Sequence, residues 1–288
     1  MFITLRFFLY LLACLVLATL LTPPLMATGW LDIAPHRVMG RLAQLFILLG
    51  IWPFLRWQGL ANRAALGFGV GWSVMKLAIR DGWALGVLIL LMLVLALLEL
   101  EIRVPDPTPD AGLQLAGRAL QAVLGGLLIG VLEESFFRGA LYAAIRQRDG
   151  VWAALFWSAA LYAVLHLMKP GAWPDTLTFD SAAAWWLFAQ VFLELFDWSH
   201  LDTLAALLMV GLFLGLVRET TGHIGWCIGL HAGWVLVIQI NRRLTDLNPD
   251  APFAFLVGDY DGTIGWLAAL WMGSLTGLYA LYHRLRRC

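Results

Sequence analysis

From Gly82 to Leu98 the chain carries no charged residue, and aliphatic side chains fill most of the run. At 1.5 Å of rise per helical residue, such a run approaches the roughly 30 Å hydrocarbon core of a bilayer. Similar runs recur along all 288 residues. Hydrophobic residues make up 61% of the chain and charged residues 13%, against about 25% charged in soluble proteins. A water-soluble fold could not cover that apolar surface, so lipid must be the solvent. The predicted fold class is all-α, a polytopic transmembrane helix bundle.

Eight spans are expected, at roughly 4–22, 38–55, 82–100, 113–145, 151–168, 201–217, 222–241 and 263–283. The fourth is too long for a simple span and should tilt or begin as an interfacial helix around Leu113–Ala119. Ala61–Arg80 and Ser181–Trp198 mix apolar and polar residues and read as interfacial or re-entrant helices, the second with a ninth span as its alternative. The first run follows Arg6 as a signal peptide would. Its length and the Thr22-Pro23-Pro24 context favour a retained helix. By sequence order the chain divides into N-terminal membrane and interfacial helices (1–110), a core (111–241), and an outer loop with the last helix (242–288), all one integral domain.

Charge orients the spans. With the N-terminus in the cytoplasm, cytoplasmic segments carry eleven cations, from Arg6 and Arg56 to Arg284, Arg286 and Arg287. The other side carries five, namely Arg37, Arg103, Lys169, Arg242 and Arg243. That bias follows the positive-inside rule and places both termini in the cytoplasm. Net charge is zero, so no basic nucleic-acid footprint exists. Cys14, Cys227 and Cys288 are too few and too scattered for a disulfide framework. Cys288 lacks the three following residues of a prenylation box. Several tryptophans near span ends suit the headgroup level, and Gly225, Gly229, Gly233, Gly211 and Gly215 form small-residue faces that allow close helix packing.

Three groups inside the spans are ionisable: Glu133-Glu134 with Arg138, His166, and His231. Such residues are costly in lipid and are functional candidates by default. Glu134 and Arg138 stand four apart and can pair on one helix face, while Glu133 points about 100° away. Glu133 is therefore read as reactive, with Glu134 and Arg138 as its support; a purely structural ion pair is the competing explanation. Measured along their helices, Glu133, His166 and His231 lie about 20, 22 and 18 Å from the cytoplasmic ends, a common level. Tyr162 stands four before His166 and either holds its ring through the hydroxyl or packs against it. His36, His200, His223 and His283 lie at or beyond span ends and receive no role.

A desolvated carboxylate can act as general base near neutral pH. With His166 it could deprotonate a water, and His231 could stabilise a developing oxyanion. Together these describe peptide hydrolysis. The same three side chains, Glu133, His166 and His231, could instead ligate zinc with water in the fourth position. No Gly-x-Ser-x-Gly elbow and no His-Glu-x-x-His motif is present.

Glu133-Glu134-x-x-x-Arg138 resembles the signature of the CPBP family, the CAAX prenyl proteases and bacteriocin-processing enzymes (also called the Abi or Rce1-like family). Tyr162-x-x-x-His166 resembles its second motif, and Gly211-x-x-x-Gly215, Thr221-Gly222-x-Ile224 and His231-Ala232 are similar to its third region. The resemblance covers about Leu124 to Val235. It implies an eight-helix intramembrane endopeptidase cutting a membrane-associated peptide or protein, in which Glu133 and His166 activate water and His231 stabilises the oxyanion. It favours a glutamate-type mechanism without a metal, with zinc as the alternative. One departure stands out: the family places Asn or Asp four residues after the third-motif His, where this chain has Val235. The indole N–H of Trp234 is a possible substitute donor. Losing one such donor costs ~10²–10³ in rate. Two other functions compete: a non-catalytic relative acting as an immunity or scaffold protein, and a transporter or proton pathway. Short loops suggest a bacterial inner membrane.

Overall fold

The computed structural model describes residues 2–168, 171–174, 177–258 and 260–286. Lys169, Arg287 and Cys288, on which the charge and cysteine readings partly rest, lie outside them. The described chain is all-α: α1 (Phe2–Ala27), α2 (Pro35–Trp57), α3 (Trp72–Glu99), α4 (Gly112–Glu134), a π-helical segment (Ser135–Leu141), α5 (Tyr142–Leu167), α6 (Ser181–Leu193), α7 (Leu201–Thr221), α8 (Gly225–Leu244) and α9 (Trp266–Leu285). Five stretches are long and apolar enough to cross a bilayer: Ile3–Ala27, Pro35–Trp57, Trp72–Glu99, Gly112–Leu167 and Trp198–Thr221. The polytopic class is as expected. Two of the eight expected spans, now α8 and α9, form 20-residue helices outside that set. Much of α8 is buried against protein, which relieves it of the need for a lipid-facing apolar surface.

Two expectations change, and one short strand pair is new. Trp72–Arg80 is not part of an interfacial helix but the opening of α3, which continues through Lys76, Arg80 and Asp81. Charges there mark where α3 leaves the apolar slab, and Arg80 pairs with Asp81 at 2.7 Å in an exposed contact. The glycine-rich segment before it, ending at the Gly71 cap, is turn and loop. The long fourth run neither begins as a separate interfacial helix nor stays α-helical: it widens into the π segment after Glu134, and the chain reverses at Gly150, whose φ of 86° suits glycine. Finally, Arg103–Pro105 and Thr245–Leu247 form a short antiparallel pair, β1 and β2. Arg103 is buried there and donates to Thr245 Oγ1 at 2.6 Å and Gly262 O at 2.7 Å. The helix α6, with 13 residues, is about 20 Å long, too short for a ninth span.

The chain packs as two compact units: Met1–Ala61 with Leu161–Trp198, and Asn62–Ala160 with Ser199–Cys288. In the first, α1 and α2 pair, and Tyr10 donates to Ile47 O at 2.6 Å in the space left by Gly50. Ala18, Met39, Leu187 and Val191 form its core with α6.

In the second unit, α8 runs between α3 and α4 with backbones nearly touching. A Cβ on Gly82 would lie 2.8 Å from Trp226 O, and one on Gly233 would lie 2.8 Å from Val87 N. On the other side, Cβ atoms on Gly126 and Gly130 would lie 3.0 Å from the Ala232 and Ile228 carbonyls. Only glycine permits such approach. The seventh helix uses the same device, with Gly211 lodged against Ala159. Apolar side chains of α3, α7, α8 and α9 complete the core. Leu120, Leu124 and Leu128, on one stripe of α4, are each about 60% exposed. A continuous exposed leucine stripe on a helix of this length faces lipid.

Candidate active site

Glu133 and Glu134 close α4. The π segment begins at the next residue and carries Arg138. Wide π turns interrupt α-helices most often at functional sites, and nothing in the sequence signals this one. Gly139 lets the widened turn lie against Leu66 O, where a Cβ would sit at 3.0 Å. Arg218 of α7 donates through Nε to Arg138 O at 3.2 Å, and through Nη2 to Ala65 O at 3.4 Å. Read from sequence as one more cytoplasmic cation, Arg218 instead braces the turn that holds the carboxylates.

Glu134 and Arg138 pair as the four-residue spacing predicts: Arg138 Nη1 donates to Glu134 Oε1 at 3.1 Å, with both side chains essentially inaccessible. Arg138 Nη2 reaches Gly211 O at 3.4 Å. Spacing could not show that the same Glu134 oxygen also accepts from His231 Nδ1, at 2.8 Å. A carboxylate holding one ring nitrogen fixes the tautomer and plane of a histidine. The other nitrogen, Nε2, then faces Glu133 Oε2 at 3.9 Å. The Glu133 side chain is 31% exposed, whereas Glu134 is fully buried. Thus the two neighbouring acids do occupy different surroundings, one fully buried and doubly bonded, the other partly exposed with its Oε2 turned inward.

His166 belongs to the first unit. Its Nδ1 lies 2.9 Å from Tyr162 O and its ring leans on the Tyr162 ring, centroids 4.2 Å apart. Of the two expected roles, the structure shows packing of the Tyr162 ring, while the backbone carbonyl of the same residue, not its hydroxyl, takes the Nδ1 hydrogen bond. An Nδ1–H donated to that carbonyl makes Nε2 the acceptor nitrogen of the neutral ring.

Trp234 is buried in the apolar core beside Phe213, ring centroids 6.2 Å apart, and its Nε1 has no hydrogen-bond partner among the described residues. Val235 faces α4, where it meets Gly126. His223, given no role above, accepts from Gly225 N at 3.2 Å and so caps α8. Burial lowers the His223 imidazole below its ordinary value, and the Arg218 charge adds to this. Tyr260, in the loop before α9, was also missed. Burial raises its phenol, with the Asp261 and then the Glu133 carboxylate adding to the rise, which puts Tyr260 within electrostatic reach of Glu133.

A membrane-embedded helical fold with paired carboxylates and a carboxylate-held histidine at the junction of α4 and α8 defines the class as a polytopic membrane protein with a buried acid–histidine site. Residues 115–237 match the family described as type II CAAX prenyl endopeptidase Rce1-like. This stretch is similar to an Rce1-like domain, consistent with a CPBP-type intramembrane protease, and it contains Glu133, Glu134, Arg138, Tyr162, His166, His231 and Val235. No match was found among curated proteins or among solved structures.

Proposed function

We infer that the protein is an intramembrane endopeptidase that hydrolyses a peptide bond of a membrane-associated protein or peptide through a water activated by Glu133. The observation that carries this is the 3.9 Å between Glu133 Oε2 and His231 Nε2, with Nδ1 of the same ring bonded to Glu134. A water oxygen about 2.8 Å from each atom fits across that gap. Glu133, the more exposed of the two acids, takes the proton from this water. The family resemblance assigns the second base to His166, whose Nε2 is left as acceptor by the Tyr162 carbonyl. The hydroxide adds to the scissile carbonyl carbon, and negative charge moves to the carbonyl oxygen. With Nδ1 committed to Glu134, His231 can donate to that oxyanion from Nε2 only as the imidazolium, and Glu134 supplies the counter-charge. Collapse of the tetrahedral species breaks the C–N bond, and the proton held by Glu133 passes to the leaving amine.

Zinc, the alternative read from the sequence with Glu133, His166 and His231 as ligands, does not fit the structure: among the described residues these three do not form a group whose ligand atoms lie within 4.8 Å of one another, and no step is routed through a metal.

The substrate is a peptide or protein at the membrane, with no cofactor required, and the bacterial inner membrane is the proposed location. The test is cleavage of a panel of membrane-anchored reporter peptides by wild type, Glu133→Ala and His166→Ala, each checked for folding by thermal unfolding. Both variants should lose cleavage while unfolding as wild type does. Cleavage that survives both rejects the assignment, and loss on chelation with recovery on zinc alone moves it to the metal form.

A further inference from the structure

We propose that the cleft between α4 and α8 binds an anionic phospholipid, with the headgroup phosphate between Arg118 and Arg243 and the start of an acyl chain running toward Ile129 and Val235. The cleft has a volume of about 150 Å³. Its two walls are stripes at helical spacing. The first descends from Arg118 through Gln121 and Gly125 to Ile129, and the second from Arg243 through Gln239 to Val235.

Both stripes are ordered alike. Arginine stands near the end of the helix, glutamine one turn in, and small or apolar residues beyond. This is the polarity profile of an amphiphile, charged head first. Arg118 lies in the second turn of α4 and Arg243 at the last turn of α8, where guanidinium groups reach the headgroup layer. Arg118 has only a loose contact with Asp110, at 3.9 Å, and its side chain is 44% exposed. Two guanidinium groups on opposite walls suit a phosphate, which they can bond in a bidentate manner.

The choice of a lipid over a free anion or a peptide rests on the adjoining surface. Leu120, Leu124 and Leu128, the exposed stripe of α4, are each the immediate chain neighbour of a wall residue: Gln121, Gly125 and Ile129. One lip of the cleft is thus continuous with the lipid-facing surface. The inner end lies one turn from both Glu133 and His231, at Ile129 and Val235. Valine at position 235, where the resembling family carries a polar residue, gives the apolar end of the cleft its surface.

Native mass spectrometry of the full chain in mixed micelles provides the test. Wild type should retain one phosphatidylglycerol and release phosphatidylcholine. Loss of each arginine in Arg118→Gln or Arg243→Gln should weaken phosphatidylglycerol retention about fivefold, and the double variant should abolish it. Arg242→Gln, the same charge change beside the cleft wall, should retain it. A Cβ on Gly125 meets nothing within 4 Å, so Gly125→Leu should block the cleft and lose the lipid while unfolding at the wild-type temperature. Equal retention of both lipids, or retention by the double variant, overturns the proposal. So does displacement of phosphatidylglycerol by inorganic phosphate or by a short peptide with a free C-terminal carboxylate, which would make the cleft a site for those ligands.

Discussion

Gly229→Ala separates the close-packed account of α8 from ordinary helix packing. An alanine Cβ there would run into Ile79 O and would lie 2.7 Å from Trp83 N and 2.9 Å from Gly82 C. All three are backbone atoms of α3, so no side chain can swing aside and the helices must part. Overpacking of this kind costs roughly 1–3 kcal/mol, and rigid backbone neighbours put this position at the upper end. Alanine also gains about 1 kcal/mol of helix propensity over glycine. The net destabilisation is then about 2 kcal/mol, or roughly 4–8 °C in Tm for a chain of this size. Gly117→Ala on α4 is the control, because a Cβ there meets nothing within 4 Å. It should leave Tm unchanged or raise it slightly. Thermal unfolding in one detergent, with both variants and wild type side by side, reads the difference. Because His231 lies two residues from Gly229, cleavage should fall along with stability. If Gly229→Ala is as stable as wild type, or matches Gly117→Ala, the backbone contact of α3 and α8 does not position the site.

Glu134→Gln keeps the shape of the side chain but makes its bonds to Arg138 and His231 neutral at the acceptor. The difference between charge-assisted and neutral bonds is about 1–2 kcal/mol, so kcat on a cleaved reporter should fall roughly 5–30-fold with little change in KM; an unchanged kcat would show that His231 needs no counter-charge. His223 predicts a pH effect in the helix cap. Its folded value is lowered, so it accepts from Gly225 as the neutral ring, and the unfolded chain binds the proton more readily. This contribution to stability is present above the unfolded value of about 6.5 and is lost as pH falls through the folded value. Tm should therefore drop below about pH 6.5 in wild type and drop less in His223→Asn, whereas parallel curves would remove His223 from the cap.

The parts of the site within a few residues of one another were legible in the sequence. The Glu134–Arg138 pair follows from spacing alone, and the different surroundings of Glu133 follow from the 100° turn between neighbours. Gly229, Gly233 and Gly211 were recognisable as close-packing glycines by their four-residue repeat. Their counterparts Gly82 and Gly86 on α3, and Gly126 and Gly130 on α4, share that repeat but sit among residues that drew no attention. What lay far apart in the chain was not legible. The bond from His231 to Glu134 joins residues 97 apart, and no local pattern announces it. The π segment and its brace, Arg218, have no composition signal. Charge misplaced the start of α3, because an apolar-run criterion stops at Lys76, Arg80 and Asp81 while a helix can continue past them into the headgroup layer. Tyr162 was found by spacing, and its packing against His166 was one of the two roles read for it; the hydrogen bond to its backbone carbonyl was not, since a backbone carbonyl is invisible to a search among side chains.

The central claim is that Glu133 and His231 act on one water and the intermediate it forms. A double-mutant cycle of cleavage, using wild type, Glu133→Gln, His231→Gln and the double variant, addresses it directly. Residues that serve one step are strongly non-additive. The double variant should be no slower than the worse of the two single variants. Losses that multiply, each substitution costing its full factor in the presence of the other, would show that the two side chains work apart.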